Sequence, residues 1–263
     1  MNRPVSSLCQ GLLVMLLALF SCAAARADSV IFASDGAGVL WRVDSSTGAA
    51  TPVGSMGLVM TDIAFSPSGV LFGVTFNSLY QINPQTGAAT LLGSLGVGSA
   101  NGLAFGPGGV LFLSTSSGPA GGELRTVNPL SGATTLVGSL GFASEGDLVF
   151  SSQGTLFLSA RNSQLVVVDP LTGAGQAVGA IGFPDVYGLA WLNGQLYALN
   201  LSGQLLHINT STGAGALLAN TSPRVTAWGA SSSPVPEPAS LLLFATGAAL
   251  AASLHRRWLR RFS

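Results

Sequence analysis

The chain of 263 residues is 48% apolar and 8% charged, has a formal net charge of zero and contains no lysine. Six of its arginines (Arg3, Arg26, Arg256, Arg257, Arg260, Arg261) crowd the two ends, which leaves residues 28–233 acidic and excludes nucleic acid as a partner. Both cysteines, Cys9 and Cys22, precede that stretch, so it can form neither disulfides nor a Cys-ligated metal site.

Residues 1–27 read as a signal peptide. Arg3 gives a basic start, Gly11–Phe20 an apolar run, and Ala25-Arg26-Ala27 the small-x-small pattern cut by signal peptidase after Ala27. The run of about 10 residues is half the length a membrane span needs, so a helix here is a removable signal and not an anchor. Leu19-Phe20-Ser21-Cys22 loosely resembles a lipoprotein processing site, where Phe20 fits poorly.

Residues 28–230 consist of one unit repeated five times. A turn phrase recurs as Asp44-Ser-Ser-Thr-Gly-Ala, Asn83-Pro-Gln-Thr-Gly-Ala, Asn128-Pro-Leu-Ser-Gly-Ala, Asp169-Pro-Leu-Thr-Gly-Ala and Asn209-Thr-Ser-Thr-Gly-Ala. Asp or Asn bonds the backbone two residues on, Pro presets φ, and Gly accepts positive φ, so the phrase predicts a hairpin turn between two β-rich stretches. One oxygen-bearing side chain per turn falls far short of the about six to eight ligands that calcium takes. A second phrase (Ile63-Ala-Phe, Leu103-Ala-Phe, Leu148-Val-Phe and Leu189-Ala-Trp, each followed by a Gly turn and Leu-Phe or Leu-Tyr) adds two more strands. Four short antiparallel strands per period of about 40 residues make a propeller blade.

The array begins at Val30 without its leading strand, and Val225–Gly229 stands alone after the fifth unit. Aligning Thr226-Ala-Trp228 with Ile63-Ala-Phe65 makes the C-terminal strand complete the first blade and close the ring, removing free sheet edges. The expectation is an all-β five-bladed propeller of four-stranded antiparallel blades. Its aromatic column (Phe72, Phe112, Phe157, Tyr197) is core packing that recurs in each unit. The units are similar to those of secreted bacterial propellers carrying a Leu-Tyr-x-Ile-Asn-Pro-x-Thr-Gly phrase, a likeness that implies fold and not activity.

Residues 231–238, Ser-Ser-Ser-Pro-Val-Pro-Glu-Pro, form a linker in which closely spaced prolines forbid helix and ladder alike. Residues 239–255 follow as an apolar, uncharged helix about 24 Å long to Leu254, enough for a thin bilayer. The basic tail of residues 256–263 (Arg256, Arg257, Arg260, Arg261) keeps the C-terminus cytoplasmic and the propeller outside. This order resembles the PEP-CTERM sorting signal of Gram-negative bacteria, with Pro236, Glu237 and Pro238 as its motif. The resemblance implies recognition by an exosortase, transient residence in the inner membrane, and delivery to the surface or matrix of exopolysaccharide-producing cells.

Catalytic groups are sparse between the ends. His207 occupies a position held by Arg42, Gln81, Thr126 and Val167 in the other units, and no nucleophile-elbow sequence accompanies it. Residues that break the repeat just before the leading strands (Asp62, Asn101, Glu145, Asp147, Asp185, Tyr187) are the candidates for a ligand site at one mouth of the central channel, suited to a cation or a sugar hydroxyl network. The sequence thus points to a non-catalytic binding or structural protein without cofactor or metal, whose partners are exopolysaccharide or another surface protein. The alternative is an extracellular hydrolase or lyase acting on carbohydrate.

Overall fold

The structure, a computed structural model, describes residues 29–118 and 121–234. The signal segment ending at Ala27, the motif Pro236-Glu237-Pro238, the expected helix over 239–255 and the arginines at 256, 257, 260 and 261 lie outside the described residues. Among those described, no helix is long and apolar enough to cross a membrane.

Each turn phrase folds as its chemistry predicts. Asn83 Oδ1 accepts from the backbone N–H groups of Gln85 and Thr86 at 2.9 and 3.1 Å, and Gly87 N–H donates to Asn83 O at 2.8 Å. The phrase glycines Gly48, Gly87, Gly132, Gly173 and Gly213 all have φ between +73° and +80°, a region that costs an ordinary residue about 1 kcal/mol or more. The turns join strands into four-stranded antiparallel sheets. Blade 1 holds β1 (Val30–Asp35), β2 (Val39–Asp44) and β3 (Ala50–Ser55), and blade 2 holds β4 (Asp62–Phe65), β5 (Leu71–Val74), β6 (Ser78–Ile82) and β7 (Ala89–Ser94). Blade 3 runs β8 (Ala100–Phe105), β9 (Leu111–Thr115), β10 (Glu123–Val127) and β11 (Thr134–Ser139). Blade 4 runs β12 (Ser144–Phe150), β13 (Leu156–Ala160), β14 (Gln164–Val168) and β15 (Gly175–Ala180). Blade 5 runs β16 (Val186–Leu192), β17 (Gln195–Asn200), β18 (Gln204–Ile208) and β19 (Gly215–Asn220), and β20 (Ala227–Ser232) crosses back to pair with β1.

The ring is therefore closed as the unmatched terminal strand implied, with β4, β8, β12, β16 and β20 innermost and in contact with one another. The register differs from the alignment of Thr226-Ala-Trp228 with Ile63-Ala-Phe65. Phe32 pairs with Ser231 and Ala33 with Ala230, as Phe72 pairs with Ala64 and Gly73 with Ile63. The strand is displaced by four residues, so that Gly229 and not Val225 stands level with Asp62. Proximity explains the choice: a Cβ on Gly229 would lie 2.4 Å from Asp62 Oδ1 and 2.5 Å from its Cα, so no side chain fits at that level. The strand also runs to Ser232, which places Ser231 and Ser232, expected in the linker, inside the sheet.

Between blades, the aromatics close the interfaces. Phe32 meets Phe65, Phe72 meets Phe105, Phe112 meets Phe150 and Phe157 meets Trp191, with ring centroids 5.1, 5.4, 5.4 and 6.3 Å apart. Beside these pairs the small inner residue of one blade faces the leucines of the next, as Ala64 does with Leu103, Leu111 and Leu113. At the rim, the turn glycine of one blade abuts a glycine in the outer strand of the blade before it. A Cβ on Gly87 would sit 2.6 Å from Gly54 O, and one on Gly213 2.6 Å from Gly179 O. The phrase is thus both a turn and an inter-blade contact.

The seam between blades 5 and 1 is built differently. Ser232 takes the aromatic position and donates to Trp191 O at 2.6 Å, while half-buried Tyr197 packs on His207 at 6.2 Å. Ala219 replaces the outer glycine, and Ser222 bridges blade 1 through Ala50 N–H to Ser222 O at 2.9 Å and Ser222 N–H to Gly48 O at 3.0 Å.

Candidate functional site

The inner strands decide what reaches the mouth. In blades 1, 3, 4 and 5 the pairing of the innermost strand slips by a bulge at its upper end, between Ala227 and Gly229, Ala100 and Gly102, Ser144 and Leu148, and Val186 and Gly188. A bulge inserts an unpaired residue and re-aims its side chain. The inserted residues here are Trp228, Asn101, Glu145 with Gly146, and Tyr187. All of them line one cleft of about 320 Å³, with Thr61 of the unbulged blade 2 and Phe76, Ser116 and Arg161 from the turns between second and third strands. Those three turn residues occupy the place held by Gly36 in blade 1 and Leu201 in blade 5.

The cup has two unlike halves. Blades 5, 1 and 2, neighbours around the ring, supply Tyr187, Trp228 and half-exposed Phe76, with the Tyr187 and Trp228 rings 6.1 Å apart and tilted by 57°. Blades 3 and 4 supply Asn101, Ser116, Ser144, Glu145 and Arg161. Asn101 is buried; its Nδ2 donates to Ser144 O at 3.0 Å, while its Oδ1 has no donor among the described residues. Glu145 Oε2 accepts from Ser163 N–H at 3.0 Å. Desolvation, with lesser repulsion from Asp185, raises the Glu145 carboxyl above the usual range against the pull of Arg161. Tyr187 is raised by desolvation and by the same two acids. Asp185 itself is exposed, in the left-handed region at φ +54°.

Asp62 and Asp147 are not in the cup. Both are fully buried beneath it, level with Gly102, Gly188 and Gly229. Asp62 Oδ1 accepts from Ile63 N–H and Oδ2 from Leu103 N–H, each at 2.6 Å. Asp147 Oδ2 accepts from Leu189 N–H at 2.5 Å and Ala230 N–H at 3.1 Å, so the two acids tie blades 1, 2, 3, 4 and 5 together at the axis. The two carboxyls lie close enough to influence each other's titration. Asp147 Oδ1 is buried without a hydrogen-bond partner among the described residues. Burial above all raises both carboxyls well above the ordinary carboxylate range, and the neighbouring Asp147 charge raises Asp62 further.

Of the six candidates from sequence, then, Asn101, Glu145 and Tyr187 line the cup, Asp185 adjoins it, and Asp62 and Asp147 close the channel below. Sequence reasoning missed Trp228, which the shifted alignment had placed level with Phe65, and Phe76 and Arg161, whose signal was a turn position that differs in every blade. Among the described residues no cluster of three or more His, Cys, Asp or Glu is placed to hold a metal.

This architecture defines a closed propeller with a one-sided cup, and solved structures agree on the fold. A symmetrical protein whose de novo evolutionary emergence is shaped by folding constraints is 22% identical over 79% of this chain and 99% of its own, with a TM-score of 0.54. A chain of the nidogen/laminin complex is 11% identical over 77% of this chain and 97% of its own, also at 0.54. Both likenesses are of fold alone. No curated protein matches the chain. Residues 234–261 match the PEP-CTERM protein-sorting motif. The protein is accordingly an exported propeller bearing the tag by which an exosortase sorts proteins to the cell surface.

Proposed function

We propose that the propeller is a non-catalytic carbohydrate-binding protein of the cell surface or extracellular matrix, released from its leader after Ala27 and held transiently in the inner membrane by the tail. The observation that carries this reading is the division of the cup into an aromatic half and a polar half. A pyranose presents the same division, an apolar C–H face that stacks on rings and a hydroxyl edge that needs donors and acceptors. Trp228, Tyr187 and Phe76 suit the first; Asn101, Glu145, Ser116 and Arg161 suit the second. Exopolysaccharide is the natural partner for a protein delivered to such a surface.

A hydrolase reading draws on one observation, the acid pair Glu145 and Asp185 beside the cup, with burial raising the Glu145 carboxyl in the direction a general acid needs. Against it, the most intimate carboxyl pair, Asp62 with Asp147, is walled off from solvent. The test is a glycan array probed with the purified exported protein and its Trp228→Ala variant. Binding that the variant loses, with the glycan recovered intact, supports a binding protein. Glycan shortened by the wild type and not by Glu145→Gln overturns it in favour of the hydrolase.

A further inference from the structure

The cup has a floor. At the level of Asp62 and Asp147 the inner strands approach so closely that a Cβ on Gly188 would lie 2.9 Å from Ala230 Cβ, and one on Gly229 2.4 Å from Asp62 Oδ1. One residue further down, Ile63, Leu103, Leu148, Leu189 and Ala230 are all 3% exposed or less. Nothing can pass along the axis to the opposite face.

The cup also has a continuous wall. Every blade contributes to it: Trp228 from blade 1, Thr61 and Phe76 from blade 2, Asn101 and Ser116 from blade 3, Glu145 and Arg161 from blade 4, and Tyr187 from blade 5. A polymer lying across a site needs a groove open at two ends, and no blade is missing from this rim. The volume of about 320 Å³ is at the lower end of the about 300–1,000 Å³ typical of ligand sites, room for a terminal unit and not for a long segment.

From this closed floor and unbroken wall we infer that the cup receives the end of a glycan chain and does not bind along its interior. The inference rests on the carbohydrate reading above and deepens it. A terminal sugar carries a free hydroxyl that an internal sugar has committed to a glycosidic bond. Asn101 Oδ1, buried on the polar side without a donor among the described residues, is the acceptor placed for such a group, since a buried acceptor left unpaired costs about 1–3 kcal/mol. Recognition of ends also suits a surface protein that must dock on polymer emerging from the cell without wrapping it.

The test uses the purified exported protein and the glycans positive on the array, with dextran, β-1,3-glucan and galactan included. Each is offered as long chains and as tenfold shorter chains made by partial acid hydrolysis, at equal mass, in calorimetry. End recognition predicts that half-saturation, expressed by mass of glycan, falls about tenfold on shortening, while the number of protein molecules bound per chain stays constant. Half-saturation by mass that does not change, with more protein bound to longer chains, overturns the inference and leaves the carbohydrate reading intact. An array with no positive glycan removes the carbohydrate reading and this inference together.

Discussion

Asp62 of the second blade and Asp147 of the fourth lie together at the propeller axis, fully buried, and burial raises both carboxyls well above the ordinary carboxylate range. The folded pair therefore binds a proton over a pH range where the unfolded carboxyls, at about 3.9, have lost theirs. The sign follows from linkage: the stabilisation is fully present below the unfolded value and is lost as pH rises through the folded one. Asp62→Asn keeps the shape and cannot titrate, so its unfolding free energy should be flatter with pH than that of the wild type. Denaturant titrations from pH 4 to 9 read this directly; parallel curves for the two proteins would contradict the raised carboxyls. Asp62→Ala, which leaves the buried Ile63 and Leu103 N–H groups without their acceptor, should lose about 1–3 kcal/mol for each group so stranded.

The turn acids act with the opposite sign. Asp44 is held below the usual range by the Ser46 hydroxyl foremost, and Asp169 by the Leu171 N–H and Thr172 hydroxyl. Their contribution is present above the unfolded value and lost as pH falls. The wild type should accordingly be most stable on the mildly acidic side of neutrality. Replacing both by Asn, which occupies the same place in Asn83, Asn128 and Asn209, should weaken the loss of thermal midpoint below pH 4, and an unchanged acid limb would count against the turns as its source.

Two glycines with nearly equal backbone strain separate the two duties of the turn phrase. Gly57 has φ +77° and a Cβ added there would meet no atom within 4 Å, whereas Gly87 has φ +79° and its added Cβ would lie 2.6 Å from Gly54 O. Gly57→Ala should cost about 1 kcal/mol from conformation alone, and Gly87→Ala about 1–3 kcal/mol more from overpacking between blades. Equal costs in chemical denaturation would show that the inter-blade contact carries no weight.

Trp228 is half-buried and touches Tyr187, so its removal should disturb the cup and little else. Trp228→Ala is expected to weaken glycan binding about tenfold or more, the equivalent of about 1.4 kcal/mol, while the thermal midpoint moves by only a few degrees. A collapse of stability with binding retained would place Trp228 in the core, where the large-Ala-aromatic pattern of Leu189-Ala-Trp191 suggested it belonged.

Much of the architecture is legible in residues because it repeats. The Thr-Gly and Ala-Phe phrases announce hairpins by their turn chemistry, and the missing first strand announces ring closure. What repetition cannot convey is contact between copies. Thr226-Ala-Trp228 imitates Ile63-Ala-Phe65 in pattern, and only the crowding at the axis, where Gly229 fits and Val225 does not, selects the register four residues on. Asp62 and Asp147 stood out as breaks in the repeat, yet their column holds Gly102 and Gly188, and that alternation of acid with glycine is the mark of a filled centre. The missed cup residues hid for another reason: the bulge that carries Trp228 and the variable turns that carry Phe76 and Arg161 leave no period to follow, and the three line one cup only once the ring is closed.

Closure in this register is the claim on which the cup and its floor both depend, and a cross-link across the seam measures it. In a background with Cys9 and Cys22 replaced by serine, Ala33→Cys with Ala230→Cys joins buried partners of the β1–β20 ladder, whose Cα separation of about 4.5–5.5 Å in antiparallel pairs suits a disulfide. The pair should oxidise spontaneously, remove two thiols by mass, and raise the denaturation midpoint. Ala33→Cys with Thr226→Cys, the pairing of the displaced alignment, should stay reduced; a disulfide there, and none at Ala230, would contradict the account.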